Sequence, residues 1–167
     1  MKKVLVTGGV GFIGSNLIQS LISKGYEVYS IDDYSSGSLK NELAEVKYIK
    51  MNILNISDLN ETFDICFHLA ARTLVQESFE RVDDYFSSNV SGTLNIAKWA
   101  SKNNIKLIYA GSASKHNNPR SSPYALTKFL GEEICKLYKL NFKLDLQIAR
   151  FYNVYGPLER VDQINGN

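Results

Sequence analysis

The chain has 167 residues, of which 44% are hydrophobic and 22% are charged, and its formal net charge is +2. This length and composition suit one ordinary globular domain, which we expect to span residues 1–167. The near-neutral charge and the lack of a basic block argue against a nucleic-acid partner. No apolar run is long enough to cross a membrane, and glycines interrupt the signal-peptide-like start of the chain. We therefore expect a cytoplasmic protein.

Short apolar runs rich in β-branched residues alternate with longer helical patterns along the chain. The predicted strands are 3–7, 27–32, 46–50, 64–70, 106–111 and 144–149, and the predicted helices are 12–24, 78–101 and 123–140. Gly25 is expected to end the first helix, and Ser122 is expected to cap the last one, with Pro123 at its first position. This alternation predicts a doubly wound, Rossmann-like parallel α/β sheet with the strand order 3-2-1-4-5-6.

Three glycines, Gly8, Gly11 and Gly14, are spaced three residues apart between the first predicted strand and the first predicted helix. Gly8 permits a tight turn, Gly11 lets the backbone approach a pyrophosphate, and Gly14 lets the helix pack closely on the strand. The helix begins near Phe12, where its N-terminus offers unpaired N–H groups to phosphates. The alternative is a flexible surface loop, but the strand–turn–helix context favours a dinucleotide-binding turn.

Asp32 ends the second predicted strand, eighteen residues after Gly14. A carboxylate at this position accepts hydrogen bonds from both hydroxyls of an adenosine ribose. Asp33 adds a second negative charge and no arginine is close by, so a 2′-phosphate would be repelled. These residues predict NAD rather than NADP as the cofactor. The alternative interpretation of Asp32 is a solvated turn residue.

The tight Gly-x-x-Gly-x-x-Gly spacing in TGGVGFIGSNL (7–17) resembles the start of the extended short-chain dehydrogenase/reductase family of nucleotide-sugar epimerases and dehydratases. Five further stretches resemble segments of that family in the same order: IDDYSSG (31–37), HLAA (68–71), NVSGTLNIAKWA (89–100), YALTK (124–128) and RFYNVYGP (150–157). The resemblance extends over nearly the whole chain and is greatest to members that resemble UDP-glucose 4-epimerase. It implies a domain that binds NAD and acts on a nucleotide-sugar, which we expect to be UDP-linked.

Tyr124 and Lys128 lie four residues apart on a predicted helix, so both face the same side. A free tyrosine has a pKa of about 10, too high for a base at neutral pH, but a nearby ammonium and a positively charged nicotinamide favour the phenolate. Without the resemblance, this pair is an ordinary amphipathic feature. The resemblance implies that Tyr124 is the catalytic acid and base, and that Lys128 binds the cofactor ribose and tunes the tyrosine.

The resemblance also implies a catalytic serine or threonine at the end of the fifth strand, where the chain has Ser112 and Ser114. Aligning the strand end favours Ser112, whose hydroxyl would bond the reacting oxygen of the substrate. Ser114 is the alternative, and a loop-capping role for both serines is another. Resembling dehydratases carry Asp-Glu directly after this position and resembling decarboxylases carry a glutamate two positions after it, whereas Ala113 and Ser114 cannot perform those proton transfers. We therefore expect a 4-epimerase that transiently oxidises the sugar at its C4 hydroxyl.

Further binding residues follow from the resemblance alone. Asn153 matches an asparagine that contacts the nucleotide-sugar, although a turn residue before Gly156 and Pro157 is an equal alternative. Asn52 stands where the family usually has an aspartate near the adenine, so the contact keeps an acceptor oxygen and loses the charge. The other implied cofactor contacts are Phe12, Ile13, Ile53, Leu69, Ala70, Ala71 and Asn89, together with Tyr124 and Lys128.

Two departures from the family pattern shape the expectations. Only eleven residues separate Ser112 from Tyr124, fewer than usual, and the chain ends ten residues after Pro157, where family members continue into a substrate domain. We expect that C-terminal domain to be largely absent, which leaves an NAD-binding module or truncated member with little turnover as a second hypothesis. The helical segments 78–101 and 123–140 resemble those of the family dimer interface, so a homodimer is expected.

The two cysteines and two histidines carry no predicted chemistry. Cys66 and Cys135 lie far apart in apolar segments, which favours reduced packing residues over a disulfide or a metal site. His68 is expected to pack at a strand end, and His116 is expected in an exposed loop. No metal site is predicted.

Overall fold

A computed structural model describes residues 1–113 and 118–159. Six parallel strands form one sheet in the order β3-β2-β1-β4-β5-β6, which confirms the predicted order. The strands are β1 Lys3–Thr7, β2 Glu27–Asp32, β3 Lys47–Lys50, β4 Ile65–His68, β5 Lys106–Ser112 and β6 Leu146–Phe151. The order reverses between β1 and β4, where doubly wound sheets bind their ligands.

The helices are α1 Phe12–Ser23, α2 Val75–Glu80, α3 Val82–Tyr85, α4 Thr93–Lys102 and α5 Pro123–Asn141. Gly25 follows α1 with a φ of +78°, a conformation that suits glycine at a helix end. Ser122 caps α5, because its Oγ accepts a hydrogen bond of 3.0 Å from the Ala125 N–H. Both predicted helix boundaries are therefore confirmed. Short 3₁₀ turns at Leu39–Asn41 and Ile53–Asp58 occupy the two less regular links.

The predicted helix 78–101 is wrong as one continuous element. The backbone leaves the helical region at Arg81 (φ −126°, ψ 45°), which separates α2 from α3. Residues Phe86–Gly92 then form a π-helical segment before α4 begins. A Cβ at Gly92 would lie 2.4 Å from Ile53 Cδ1, so a larger residue there would require the Ile53 side chain to move.

The sheet separates two apolar clusters. The larger cluster lies on the α4 and α5 side and includes Leu5, Cys66, Ile96, Leu107 and Cys135. The smaller cluster lies on the α1 side, where Val4, Val6, Ile18, Leu21, Val28 and Val46 are buried. Alternate residues of β1, β2 and β4 serve the two clusters, as expected for strands that are apolar on both faces.

Cys66 and Cys135 are buried free thiols in the larger cluster, and burial raises the pKa of Cys135 to about 12. Across residues 1–113 and 118–159, no three His, Cys, Asp or Glu side chains are grouped as they would be to hold a metal ion. None of the helices in these ranges combines the length and apolar character that a membrane span needs.

Candidate active site

A cleft of about 580 Å³ opens at the carboxyl ends of β1 and β4, on the switch point of the sheet. Fifteen of the residues singled out by sequence line it. They are Gly8, Gly11, Phe12, Ile13, Gly14, Asp32, Asp33, Asn52, Ile53, Leu69, Ala70, Ala71, Ser112, Tyr124 and Lys128. Residues from both halves of the chain therefore meet in one concave site.

The glycine turn forms one wall of the cleft by close backbone contacts. Gly8 has a φ of +73°, and a Cβ built there would lie 2.8 Å from the Ala70 nitrogen. A Cβ at Gly14 would lie 2.2 Å from the Gly8 oxygen, so α1 packs against the turn as only glycine allows. Gly11 at the N-cap supplies no side-chain cap, and the first helical N–H groups stay available at the cleft.

Asp32 lies at the end of β2 and is fixed by the backbone on both sides. Its Oδ2 accepts from the Val10 N–H at 3.2 Å, and its Oδ1 accepts from the Tyr34 N–H at 2.9 Å. Asn52 Nδ2 donates to Asp33 Oδ2 at 3.0 Å, while Asn52 Oδ1 accepts from the Leu54 N–H at 2.9 Å. This end of the cleft is therefore ordered and negatively charged.

Tyr124 lies in the first turn of α5, and its phenol donates to Ser112 Oγ at the end of β5 over 3.4 Å. Lys128 lies one turn further on with only 7% of its surface exposed. Its Nζ donates to the Ala110 carbonyl at 2.7 Å and lies 4.5 Å from the centre of the Tyr109 ring. Burial lowers the pKa of Lys128 to about 8, whereas the negative charge of Glu132 acts in the opposite direction.

An ion pair between the buried Glu132 and the exposed Arg150 ties α5 to β6 beside this group. Glu132, which is 1% exposed, accepts from Arg150 Nη2 at 2.8 Å and from Arg150 Nε at 3.2 Å. Arg150 pairs in register with Gly111, the residue before Ser112. The bidentate pair therefore fixes the helix that carries Tyr124 against the strand beside Ser112. This ion pair was not predicted from the sequence, although Glu132 falls on the same helix face as Lys128.

Two predicted contact residues lie away from the cleft lining. Asn89 is 1% exposed, and its Oδ1 accepts from the Arg72 N–H at 2.8 Å while its Nδ2 donates to Thr127 Oγ1 at 3.1 Å. Asn153 is exposed beyond the end of β6. Their contacts with cofactor and substrate stay predictions. Ser114 and His116 lie outside the described residues, so the choice between Ser112 and Ser114 has no structural comparison.

A charged cluster at the cleft, made of Arg72, Glu77, Arg81 and Asp84, escaped the sequence analysis. Arg81 Nη1 lies 2.8 Å from Glu77 Oε1, and Arg81 Nη2 lies 2.6 Å from Asp84 Oδ2. Arg72 Nη1 adds a contact of 3.6 Å to Glu77. The i,i+4 and i,i+3 spacings were visible, but they are typical of any solvated helix face.

A second cavity, of about 430 Å³, lies on the α1 side of the sheet over β4, β5 and β6. Its floor contains the half-buried side chains of Phe67, Ile108, Ala149 and Phe151. Among the described residues, no helix covers this part of the sheet. Beside it, Asn16 Nδ2 donates to the Pro157 carbonyl at 2.8 Å and ties the segment after β6 to α1.

The fold and its cleft define a doubly wound α/β protein with a ligand site at the switch point. Comparison with known proteins narrows this class. A model of the NAD dependent epimerase/dehydratase family matches residues 4–166. The chain therefore belongs to that family.

Individual relatives support the same assignment. The chain is 34% identical to a putative UDP-glucose 4-epimerase of Methanocaldococcus jannaschii, with 95% of this chain and 57% of the relative covered. It is 33% identical to a UDP-N-acetyl-alpha-D-glucosaminuronate decarboxylase of Bacillus cytotoxicus, with 93% and 56% covered. The structure of Thermus thermophilus UDP-glucose 4-epimerase complexed with NAD is similar at a TM-score of 0.85 and 27% identity, covering 95% of this chain and 57% of that one. The chain thus spans just over half the length of these relatives.

Proposed function

We propose that this protein is an NAD-dependent nucleotide-sugar 4-epimerase that acts on a UDP-linked sugar. The observation that carries the proposal is the meeting of Ser112, Tyr124 and Lys128 in the same cleft as the glycine turn and Asp32. The first three residues provide proton transfer, and the last two features suit a dinucleotide. The family relationship and the UDP-sugar relatives support the same function.

The residues of the cleft fit NAD. The uncapped N-terminus of α1 offers N–H groups and a partial positive charge to the pyrophosphate. The Asp32 carboxylate, held by two backbone N–H groups, is positioned to accept the hydroxyls of the adenosine ribose. Asp33 keeps this end negatively charged, which disfavours the 2′-phosphate of NADP. Lys128 lies at the other end of the cleft, where it can bind the second ribose.

The reaction needs one proton and one hydride to leave the C4 position. When bound, the nicotinamide of NAD would supply the hydride acceptor for C4 and then the hydride donor on the opposite face of the sugar. Tyr124 takes the proton from the C4 hydroxyl and gives it back at the end, and Ser112 donates a hydrogen bond to the same oxygen.

Ala113 favours epimerisation over the related chemistries. Elimination of water or loss of a carboxyl group requires a further acid or base beside the reacting hydroxyl. Ala113 follows Ser112 directly and has no proton to transfer, and Ser114, where resembling decarboxylases carry a glutamate, has no carboxyl group. The decarboxylase among the relatives makes decarboxylation the chemistry that a product assay must separate from epimerisation.

A second candidate function is cofactor binding with little or no turnover. The observation that favours it is the extent of the match, since the chain spans 57% of the length of the Methanocaldococcus relative. The relatives extend beyond the matched region, and turnover requires residues that position the sugar and exclude water.

Cofactor binding is tested by calorimetric titration with NAD⁺, NADH and NADP⁺. We expect NAD⁺ and NADH to bind and NADP⁺ to bind at least tenfold more weakly, because Asp32 and Asp33 repel its extra phosphate. Asp32→Ala should weaken NAD⁺ binding, whereas Asp58→Ala, which removes an exposed carboxylate outside the cleft, should not. Absence of binding by both NAD⁺ and NADH would contradict the proposal.

Turnover is tested by incubating the protein with NAD⁺ and either UDP-glucose or UDP-galactose and separating the products. We expect interconversion of the two sugars, which Tyr124→Phe should slow by about 10²-fold or more. Tyr138→Phe is the matched control, because it removes a phenol from the same helix outside the cleft. A 4-keto-6-deoxy product would refute the epimerase assignment, and cofactor binding without any product would support the binding module.

We further propose that the protein forms a homodimer through the segments 78–101 and 123–140. Large apolar side chains on these segments are exposed to solvent. They include Phe79 at 56%, Leu94 at 40%, Leu137 at 51% and Leu140 at 82% exposed. A second copy of the chain would bury them.

A further inference from the structure

Four buried polar side chains form a connected group between the sheet and α4. Thr7 ends β1, His68 ends β4, Thr93 begins α4 and Tyr109 lies in β5. None of them is more than 2% exposed. Since buried hydrogen-bonding groups must find partners inside the protein, the contacts of the group determine where its protons lie.

The donors and acceptors of the group can be assigned starting from Thr7. Its Oγ1 accepts from the Leu69 N–H and from the Ala70 N–H, both at 3.1 Å. These two bonds use both lone pairs of the hydroxyl, so its own proton must point to the remaining neighbour, His68 Nδ1, at 2.8 Å. Nδ1 is therefore an acceptor, and the imidazole proton lies on Nε2.

The group continues in the same direction toward α5. His68 Nε2 donates to Thr93 Oγ1 at 3.0 Å, and the Tyr109 ring lies beside the imidazole. Tyr109 in turn donates its phenol proton to the Lys128 carbonyl at 3.2 Å.

Both ends of this series lie at the cleft, because Leu69, Ala70 and Lys128 all line it. The Ala70 backbone is also the surface on which the Gly8 turn packs. We propose that His68 is a positioning residue, fixed as the neutral Nε2–H form, which holds the Leu69–Ala70 wall of the cofactor cleft in register with the Lys128 end of α5. The role of His68 in cofactor binding rests on the proposed function, whereas the assignment of its proton to Nε2 does not.

The neutral form is the only one that the contacts accommodate. A second proton on Nδ1 would face the Thr7 hydroxyl, whose lone pairs are already in use. The Lys128 ammonium is the charged group that acts on the imidazole, and together with burial it lowers the pKa of His68 to about 3. The aromatic neighbour, Tyr109, lies with its ring centre 5.8 Å from that of the imidazole.

The proton arrangement is tested by ¹⁵N NMR of the imidazole in the protein without cofactor. We expect His68 to show the Nε2–H pattern and to keep it from pH 8 to pH 5, whereas His116 serves as the internal reference histidine. An Nδ1–H pattern, or titration of His68 within this range, would overturn the proposal.

The positioning role is tested with Thr93→Val, which keeps the shape of the side chain and removes the acceptor for Nε2–H. We expect amide hydrogen exchange at Leu69 and Ala70 to become at least tenfold faster and NAD⁺ to bind about tenfold more weakly. Ser78→Ala is the control, because it removes a buried hydroxyl that donates only to the Val75 carbonyl. It should leave both readouts unchanged.

Unaltered exchange at Leu69 and Ala70 in Thr93→Val would overturn the positioning role, as would the same loss in Ser78→Ala. If the unmodified protein binds no NAD⁺, the proposed function fails. The imidazole pattern and the exchange rates still decide the present proposal, since neither measurement needs a cofactor.

Discussion

At the scale of single residues, Lys128 is a side chain that is both charged and buried. Under the proposed function it carries a positive charge beside Tyr124 and a cofactor ribose, yet it is only 7% exposed. The carbonyl of Ala110 and the ring of Tyr109 provide partial compensation. The remaining cost of burying the charge is reflected in its lowered pKa.

This cost makes folding stability depend on pH. The pKa of Lys128 falls from 10.5 in the unfolded chain to about 8 in the fold. Between these values the unfolded chain holds a proton that the folded protein has released, so the free energy of unfolding rises with pH, by on the order of 3 kcal/mol in total. Urea unfolding at pH 7.5 and pH 10.5 should show this gain, and Lys128→Met should lack it.

Other titrating groups contribute equally to the wild-type protein and to Lys128→Met. The quantity to compare is therefore the difference between their free energies of unfolding at each pH. A difference that stays constant from pH 7.5 to pH 10.5 would show that the ammonium is not penalised by burial.

The residues that could be predicted from sequence are those whose chemistry is local. The glycine turn and Asp32 lie within one β–α–β unit, so their spacing predicts a dinucleotide site. Tyr124 and Lys128 lie on one helix, but their spacing alone is ordinary, and the family resemblance was needed to single them out. His68 and its partners could not be predicted, because Thr7, His68, Thr93 and Tyr109 come from four separate elements. Only the sheet order brings them together.

At the scale of elements, α5 carries Tyr124 and Lys128, the side chains of the proposed reaction, and their placement depends on its first turn. Tyr124 lies two residues after the cap, Ser122, so fraying of this turn would move the phenol directly. Ser122→Ala should lower the free energy of unfolding by about 1 kcal/mol. Ser122→Asp, which retains a capping oxygen, should restore most of the loss, as measured by urea unfolding. Equal losses in both variants would show that the hydroxyl acts through packing instead.

The predicted helix 78–101 shows that the periodicity of apolar residues does not reveal every break in a helix. Its apolar pattern continues across the break at Arg81 and through Phe86–Gly92, because a wider π-helical turn changes the register by only one residue. The reason for the π-helical segment is tertiary: it places Asn89 between Arg72 and Thr127. Strands were predicted to within one or two residues, since several are apolar on both faces and all are short runs rich in apolar or β-branched residues.

At the scale of the whole molecule, the sheet order was predictable because the connections of parallel strands are so restricted.

The proposed homodimer is tested by the mass of the protein in solution. Sedimentation should give twice the chain mass, and the double change Leu137→Glu with Leu140→Glu should give a monomer, because the charges cannot be buried between two copies. Leu39→Glu, at a site 69% exposed outside these segments, is the control. A monomeric wild type would contradict the homodimer.

The apolar floor over β4, β5 and β6, formed by Phe67, Ile108, Ala149 and Phe151, has a thermodynamic consequence. Surface that is already hydrated in the folded protein adds nothing to the heat-capacity change of unfolding. The heat-capacity change of unfolding per residue should therefore fall below the usual value of about 12–15 cal/mol/K. The free energy of unfolding should then vary less with temperature than in a protein whose sheet is fully covered. Any segment or partner that covers this floor would restore the usual curvature as well as add stability.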